Sequence, residues 1–374
     1  MSPRPFPTEI VLIGAGHAHV EVLRRHAMRP AAGIRLTLIA REPQTPYSGM
    51  LPGLIRGDTD FAAAHIDCAR LAAAAGARLI VAPADAIDLA AGRVGLAGRA
   101  SVGFDLLSIN VGGSPAMPAG GGVAVKPIGQ FLDRLAAIEA ALPPGAPLAV
   151  VGGGAAGTEL ALALAWRLGA RARITLVAGR ALLPAVPEGV RRHIARALAA
   201  AGIDVVLGEA LGHADGALAL ADGRRLAAAA ALWATGVVGP PLLAQSGLRC
   251  DAAGCVVVAA SLRSVSHPAV FAAGDCASLL GMARPKAGVW AVRAGGVLAA
   301  NLDRAARGAP LHDWRPQRRA LVILGTGGGR AVAWRGGWWL AGGLAWRWKD
   351  RIDRRWMAMY QHLRPIAPPG VHCD

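Results

Sequence analysis

The chain has 374 residues, of which 54% are hydrophobic and 17% charged, so it is not wholly disordered and has the length of two or three domains. Its net charge of +16 comes almost entirely from arginine, in a sequence that is also rich in alanine and glycine. Such a compositional bias does not by itself indicate a nucleic-acid partner. Because no nucleic-acid-binding motif accompanies the charge, we expect no nucleic-acid partner.

Cysteine use and the N-terminal residues favour a cytoplasmic protein. The cysteines are too scattered to form a disulfide framework in a chain of this size: Cys68, Cys250, Cys255, Cys276 and Cys373. A signal peptide is not expected, because Pro5, Pro7 and the charged Glu9 interrupt the region where an apolar segment would have to lie.

The chain begins with the pattern of a strand, a glycine-rich loop and a helix. Residues 9–14 are a short apolar run, followed by Gly14-Ala-Gly-His-Ala-His19 and a helical pattern to about Met28. The next apolar runs predict short strands over 34–40, 77–83, 93–96 and 104–110. A helix predicted over 129–142 ends at Pro143-Pro144-Gly145, which indicates a break between two structural units.

The same pattern recurs in the middle of the chain. Residues 148–151 predict a strand, 152–157 repeat the glycine-rich loop, and a helix ending near Gly169 precedes a strand over 173–177. Two such units predict an α/β fold with two Rossmann-like dinucleotide-binding domains on mostly parallel sheets.

Further elements follow the second unit. The pattern predicts a helix over 188–201, short strands between 203 and 233, strands over 255–259 and 269–273, and a helix over 288–306. The uncharged run 226–248 is long enough to cross a bilayer, but its glycines and prolines are typical of a buried strand followed by a loop. Residues 313–374 hold seven of the ten tryptophans, so we expect a separate small α+β C-terminal domain there.

The two glycine-rich loops are candidate dinucleotide sites. Glycines let the backbone approach a pyrophosphate closely, and the first N–H groups of the following helix are unpaired. The second loop has the full pattern, Gly152, Gly154 and Gly157, although a glycine-rich turn that binds nothing is the alternative. The first loop has Gly14 and Gly16 but carries a histidine at the third position, so on its own it is a weaker signal.

That histidine, His19, lies two residues after His17, which raises the question of a metal site. No cysteine or carboxylate stands at ligand spacing, so we expect no metal. We expect both rings to pack near a cofactor at the start of the helix.

The residue that would bind the adenosine ribose should close the second strand of each unit. In the first unit Ala40 occupies this place, and Glu42 is the nearby acid. In the second unit no acid follows the strand, and Arg180 is the nearby charged residue. An arginine suits a 2′-phosphate, so NADPH is favoured over NADH, and the alternative is that this half has lost its ligand.

The doubled loops and three further segments resemble the flavoproteins with two dinucleotide-binding domains, the group of pyridine nucleotide-disulphide oxidoreductases and type II NADH:quinone dehydrogenases. The segments are Asp105-Leu-Leu-Ser-Ile-Asn-Val-Gly112, Trp233-Ala-Thr-Gly236 and Phe271-Ala-Ala-Gly274-Asp275. Within this group the chain is most similar to the FAD oxidoreductase found N-terminal to some selenide, water dikinases. The matching stretches are Gly14-Ala-Gly-His-Ala-His19-Val-Glu-Val-Leu23, Thr45-Pro-Tyr-Ser-Gly-Met-Leu-Pro-Gly53 and Lys349-Asp-Arg-Ile-Asp353-Arg.

The resemblance implies one site for FAD and one for NADPH or NADH. The first loop would hold the FAD pyrophosphate, Asp275 would take a ribityl hydroxyl, and the segment from Tyr47 to Pro52, with Met50, Leu51 and Pro52, would line the other side of the flavin. The candidate cofactor-binding residues are Gly14, Gly16, His19, Glu42, Met50, Leu51, Pro52, Gly112, Gly152, Gly154, Gly157, Arg180, Gly236, Gly274 and Asp275.

Two residues are candidate catalytic groups. Lys286 precedes the helix predicted over 288–306, whose N-terminal dipole would face the flavin pyrimidine edge, and both would favour an anionic reduced flavin. Glu159 follows the second loop by two residues and would lie near the nicotinamide or the flavin. The alternatives are a solvated loop lysine and an ordinary first-turn glutamate.

The cysteines do not predict a redox pair. No cysteine lies between residues 1 and 67 or between 69 and 249, and Cys250 and Cys255 flank a predicted hairpin turn. Cys276 follows Asp275, and we expect it to be a small buried residue. Electrons would therefore pass directly from nicotinamide to flavin to an acceptor.

The C-terminal helix is basic and amphipathic. Its apolar positions share one predicted face: Ala345, Trp348, Ile352, Trp356, Met359 and Leu363. Arginines and a lysine cover the rest, which is typical of peripheral contact with the inner face of a membrane. The alternative, favoured by Asp350 and Asp353, is that the apolar face packs on the FAD domain.

The predicted domains are an FAD-binding domain over 1–118 and 250–311, an inserted NAD(P)-binding domain over 119–249 and a C-terminal domain over 312–374. The expected activity is electron transfer from NAD(P)H through FAD to a quinone or another small acceptor. A selenium-linked FAD oxidoreductase and a non-catalytic flavin-binding regulator are the alternatives. The sequence does not predict the oligomeric state.

Overall fold

The computed structural model describes residues 6–118, 120–282 and 284–363. In chain order, its elements up to residue 109 are β1 (Thr8–Ile13), α1 (His17–Met28), β2 (Ile34–Ala40), β3 (Gln44–Pro46), α2 (Leu51–Arg56), α3 (Phe61–Ala64), β4 (His65–Asp67), α4 (Cys68–Ala74), β5 (Arg78–Val81), β6 (Ala84–Asp88), β7 (Arg93–Leu96), β8 (Arg99–Gly103) and β9 (Leu106–Ile109).

The middle of the chain forms the second set of elements. They are β10 (Ser114–Pro115), β11 (Val123–Ala124), α5 (Ile128–Ala141), β12 (Ala146–Val151), α6 (Ala155–Leu168), β13 (Ala172–Val177), α7 (Glu188–Ala200), β14 (Asp204–Val206), β15 (Ala210–Ala214), β16 (Ala217–Leu220), β17 (Arg225–Ala227), β18 (Ala230–Trp233) and β19 (Val237–Val238).

The last elements return to the first sheet and then leave it. They are α8 (Pro241–Gln245), β20 (Val256–Val258), β21 (Val270–Ala272), β22 (Ala277–Leu279), α9 (Gly288–Ala306), β23 (Val322–Gly327), β24 (Arg330–Arg335), β25 (Trp338–Gly342) and α10 (Gly343–Gln361).

Two parallel five-stranded sheets organise the molecule. The first has the order β21-β9-β1-β2-β5 and the second the order β11-β18-β12-β13-β14. The strands of both sheets are parallel, with Ile10 of β1 between Leu36 of β2 and Leu106 of β9. The central strands are apolar where both faces of the sheet are covered. Leu148 and Val150 of β12 pack with helices α5, α6 and α7, whereas Ala149 and Val151 pack against the antiparallel sheet of β15, β16 and β17. The predicted fold class is confirmed.

The uncharged run over 226–248 contains β18, β19 and α8 rather than one long helix. Ala231, Leu232 and Trp233 of β18 are buried in the second sheet, which accounts for the lack of charge. No helix in the described part of the chain is both long enough and apolar enough to span a bilayer.

The C-terminal elements join the two cores. Strands β23, β24 and β25 form an antiparallel sheet, and Leu324 and Val332 pack into the core of the second parallel sheet. Helix α10 packs on the other core, where Trp356 and Tyr360 lie in the core of the first sheet. The tail is therefore a bridge between the two parallel sheets.

The face that α10 buries differs from the predicted apolar face. Ala345 and Trp356 are buried as predicted, but Trp348, Ile352 and Met359 are exposed. The buried stripe is Ala345, Lys349, Asp353, Trp356, Met357 and Tyr360. The prediction is wrong because it assigned charged residues to solvent, whereas one lysine and one aspartate on this helix neutralise each other inside.

The buried pair is Lys349 and Asp353, one helical turn apart. The Lys349 ammonium donates to Asp353 Oδ2 at 2.7 Å and to the Gly49 carbonyl at 2.6 Å. The Tyr47 hydroxyl donates to Asp353 Oδ1 at 3.0 Å. Because every charge has a partner, the stripe is buried without an unpaired ion.

Replacing Lys349 by methionine tests this pair. The stem is kept but the Asp353 carboxylate loses its cation, so the variant should lose about 3–5 kcal/mol of unfolding free energy in urea titration. Arg354→Gln is the matched control, because it breaks the exposed pair with Asp350 on the same helix and should cost less than about 1 kcal/mol. Equal losses in the two variants would contradict the assignment.

Candidate functional site

A cavity of about 660 Å³, the first cavity, lies where β1, β2 and β9 end. The carboxyl ends of parallel strands are the usual place for a ligand in such sheets. Of the predicted cofactor residues, it is lined by Gly14, Gly16, Glu42, Gly112 and Asp275. The start of α9 closes the opposite wall through Gly288 and Ala291.

The first glycine loop lies directly against the end of β9. Gly14 has a φ of +89°, and a Cβ there would be 2.5 Å from the Asn110 carbonyl oxygen. A Cβ on Gly16 would collide with the Asn110 side chain. The two glycines are therefore required by a close backbone approach, and they leave the loop's cavity-facing side bare.

Asn110 is a site residue that the sequence analysis does not single out. Its Oδ1 accepts from the Ala18 and His19 amides at 3.0 and 3.3 Å, at the start of α1. Its Nδ2 donates to the Ala273 carbonyl at 2.6 Å, just before Gly274, where a Cβ would be 2.6 Å from the same nitrogen. One carboxamide thus joins the glycine loop, β9 and the Gly274 turn, and that explains why Gly274 must be glycine.

His19 lies beneath the first loop and does not line the first cavity. Its Nδ1 is 2.6 Å from the Gly14 carbonyl, which can only accept, so Nδ1 carries the proton. Nε2 then accepts from the Ser108 hydroxyl at 2.8 Å. Burial lowers the pKa of His19 to about 4, so the ring is neutral at pH 7.

We expected the His19 ring to pack near a cofactor, but in the structure it supports the loop from beneath and does not line the first cavity. The second loop has a glycine, Gly157, at the corresponding third position. A Cβ on Gly157 would collide with the Gly152 carbonyl, so only glycine fits there. In the first loop the imidazole instead donates a hydrogen bond to the equivalent carbonyl of Gly14.

The charged residues of the first cavity differ from the prediction in one respect. Lys126 lines the cavity and forms an ion pair with Asp275 at 2.6 Å. Lys286 is turned away, and its ammonium donates to the Ala277 carbonyl at 2.6 Å. The predicted lysine at the cavity wall is therefore replaced by Lys126, from the crossover between the two units.

His17 also lines the first cavity. Within the described ranges, its Nε2 is buried and has no hydrogen-bond partner. Burial lowers the pKa of His17 to about 4, although the nearby Asp275 opposes the shift. A neutral ring with one unsatisfied nitrogen suits a polar group of a bound ligand.

The segment Met50-Leu51-Pro52 lies between two cavities. Pro46 and Ser48 line the first cavity, whereas Met50 and Pro52 line a second cavity of about 450 Å³. Leu51 packs on the core of the second sheet. The segment is therefore a thin wall between the two spaces.

Glu159 lies in the second cavity, at the start of α6. Its Oε1 accepts from the Gly325 amide at 2.7 Å. Burial raises the pKa of the Glu159 carboxyl, while Lys349 opposes the rise. Glu159 is thus better able than an exposed glutamate to hold a proton.

The remaining predicted residues belong to the second unit. Gly152 has a φ of +135°, and a Cβ there would collide with the Ala234 carbonyl, while Gly154 faces open space at the start of α6. Arg180 is exposed just after β13. Gly236 is exposed too, and its carbonyl accepts from the Ala116 amide at 2.6 Å, where the two units cross.

None of the four described cysteines lines either cavity. Cys250 and Cys255 flank a turn that the Asp251 carboxylate holds by accepting from the Cys255 amide at 2.9 Å. Burial raises the pKa of Cys276 to about 12, so it is a poor nucleophile. The described residues also contain no group of three or more metal-ligating side chains.

Comparison with known proteins agrees with this geometry. A family model described as pyridine nucleotide-disulphide oxidoreductase matches residues 8–295. A probable ferredoxin reductase from Castellaniella defragrans is 27% identical over 71% of this chain and 67% of its own length. An NADH dehydrogenase-like protein from Mycobacterium tuberculosis is 27% identical over 72% of this chain and 73% of its own.

Solved structures share the fold at lower identity. The sulfide:quinone oxidoreductase of Aquifex aeolicus superposes with a TM-score of 0.75 over 93% of this chain and 90% of that chain, at 17% identity. At this identity the similarity describes the fold alone.

The burial of His19 predicts how stability depends on pH. The unfolded histidine has a pKa of 6.5 and the folded one about 4, so the unfolded chain binds more protons between these values and stability falls on acidification. His19→Gly restores the full glycine pattern and should lower the melting temperature at pH 7 but weaken its fall between pH 7 and pH 5. His362→Gln, at an exposed histidine, is the control. An unchanged pH profile in His19→Gly would refute this role.

Proposed function

Because the chain belongs to the pyridine nucleotide-disulphide oxidoreductase family, we propose that it passes electrons from NAD(P)H through FAD to a quinone or another small acceptor. The predicted resemblance to this family and the predicted cofactors, FAD and NAD(P)H, are confirmed. The acceptor and the division into domains are part of the proposal.

In this proposal FAD occupies the first cavity and is held by residues of 1–118 and 250–311 together with Lys126, from the crossover between the two units. Three observations support the fit: the side-chain-free face of Gly14 and Gly16, the unsatisfied Nε2 of His17, and the Lys126–Asp275 pair. The pyrophosphate carries negative charge, which the start of α1 and Lys126 would stabilise. Asp275 would accept a hydrogen bond from a ribityl hydroxyl.

The observation that carries the proposal is the thin wall at residues 46–52, which has one cavity on each side. Only the wall at residues 46–52 would separate a flavin in the first cavity from a molecule in the second. Glu159, two residues after the second glycine loop, borders that second cavity. The site therefore has room for a cofactor and for a second reactant beside it.

Bound FAD would supply the redox chemistry by taking and releasing two electrons. The protein holds the wall in place: Lys349 donates to the Gly49 carbonyl, and Tyr47 stacks on Trp356 at 4.3 Å between ring centres. Glu159 can hold a proton beside the second cavity. Lys126 offsets the charge of Asp275, so this carboxylate would not oppose the reduced, more negative state of the cofactor.

Peripheral membrane contact also belongs to this proposal. The exposed face of α10 carries Trp348, Ile352 and Met359 together with Arg347 and Arg351. An exposed apolar and basic helix face suits an anionic lipid surface. We propose that this face, at the cytoplasmic side of a membrane, is the one that makes contact.

Absorption spectroscopy tests the core of the proposal. Purified protein should show an oxidised flavin band that bleaches on anaerobic addition of NADPH or NADH. Gly14→Ala should lose most of its FAD because the added Cβ collides with Asn110. Gly33→Ala is the matched control, since Gly33 has a similar φ of +75° with no atom near the added Cβ. A flavin that binds but is not reduced would favour the non-catalytic regulator.

Arg180 decides which nicotinamide cofactor is used. If it binds the 2′-phosphate, Arg180→Ala should raise the KM for NADPH about tenfold, equivalent to about 1.4 kcal/mol, and leave that for NADH unchanged. Arg173→Ala, at the other end of β13, is the control. Equal effects on both cofactors would count against this role, and turnover with selenium compounds but not quinones would favour the selenium-linked alternative.

A further inference from the structure

The second cavity is built from both dinucleotide-binding units and the tail. Its walls come from α2, from α6, from the turn after β23 and from α10. Two tryptophans, Trp166 of α6 and Trp346 of α10, line it. The turn after β23 contains Gly328 and Gly329, whose missing side chains keep the space open.

Each of three cations around this cavity has an acidic partner. Their pairs are Arg56 with Asp58 at 2.6 Å, Lys349 with Asp353 at 2.7 Å, and Arg354 with Asp350 at 2.8 Å. Glu159 is a fourth acid in the wall, so the charges balance when its carboxyl holds a proton, and the cavity then has no general attraction for ions of one sign. What it binds must be selected by individual hydrogen bonds.

Arg56 differs from the other two cations because part of its guanidinium is unsatisfied. Its side chain is 2% exposed. Within the described residues, its Nη1 is buried and has no hydrogen-bond partner. A buried donor without a partner is costly, and such groups in native proteins often mark the place of a ligand.

The guanidinium is also held in a fixed orientation. Nε donates to Asp58 Oδ2 at 2.6 Å, and Cζ lies 5.4 Å from the centre of the Trp346 ring. A Cβ on Gly325 would lie 3.9 Å from Arg56 Nη1 and 3.5 Å from Glu159 Oε1. Nη1 and the Glu159 carboxyl therefore border the same small space beside Gly325.

We infer that Arg56 binds the electron acceptor, and that the acceptor carries a carbonyl oxygen on a planar ring, as a quinone headgroup does. A guanidinium N–H can only donate, so its missing partner is an acceptor such as a carbonyl oxygen. The indole rings of Trp166 and Trp346 offer apolar faces to a planar ring. The inference rests on the proposed function and names the residue that would hold the acceptor.

The reduction of a quinone balances in electrons and protons with the groups at the two cavities. Reducing a quinone to a hydroquinone takes two electrons and two protons. Bound reduced FAD would supply both electrons across the wall at residues 46–52 and would release its own proton to solvent. One proton would reach the quinone from solvent, and the last would come from Glu159, which regains it from solvent. Arg56 would hold the carbonyl oxygen on which negative charge grows before that proton arrives.

The holoenzyme variants Arg56→Gln and Arg56→Lys test the inference by anaerobic stopped-flow. Reduction of the flavin by NADPH should stay within about twofold of the unaltered protein in both. Reoxidation by menadione should need about tenfold more quinone for half-maximal rate in Arg56→Gln, and about fivefold more in Arg56→Lys, which loses the planar contact with Trp346. Arg354→Gln, at the same cavity, should leave both half-reactions unchanged.

A second measurement does not depend on turnover. Menadione binding to the oxidised holoenzyme should quench the fluorescence of the cavity tryptophans, and its dissociation constant should rise by the same factors in the two Arg56 variants. If Arg56→Gln fails to fold, Arg56→Lys carries the test, because unchanged affinity in that variant would overturn the inference.

Other outcomes are equally decisive. Slower flavin reduction by NADPH with normal reoxidation would assign Arg56 to the nicotinamide carboxamide, which also has a carbonyl oxygen, and would overturn the inference. Unchanged half-reactions in both variants would make Arg56 purely structural. If NAD(P)H does not reduce the flavin at all, the proposed function fails, while the quenching titration still decides the role of Arg56.

Discussion

The carboxamide of Asn110 is the contact on which the first cavity depends. It accepts from two amides at the start of α1 and donates to the Ala273 carbonyl, so it joins segments 92 and 163 residues apart in the chain. Gly14, Gly16 and Gly274 are glycines because this side chain and its backbone occupy the space beside them. The same residue thus fixes both the glycine loop and the turn that presents Asp275.

The second cavity depends on a different set of bonds, those that hold the wall at residues 46–52. Tyr47 and the carbonyl of Gly49 are bonded to Asp353 and Lys349 of α10. The tail therefore determines the shape of the space beside the cofactor site. A C-terminal helix that looks like a surface element in the sequence is in fact part of the candidate active site.

The sequence is sufficient to predict those features that depend on one local pattern. Helix α9 and strand β2 have the predicted bounds, because each is a continuous pattern with a glycine or a charge at its ends. The sequence is insufficient for features that depend on contacts between distant segments. Lys126 and Lys286 both stand near a loop, but only the folded chain shows that Lys126 pairs with Asp275 and that Lys286 reaches a backbone carbonyl.

Burying Lys349 and Asp353 is equally hard to predict, because charged residues are usually exposed and only their i,i+4 spacing hints at a pair. The tail that carries them is wedged between two sheets, its strands in one core and its helix in the other. Because the tail packs on both cores, it opposes hinge motion between the two sheets. Reactants would then have to exchange through a fixed opening, at a pace set by diffusion past Trp166 rather than by domain opening.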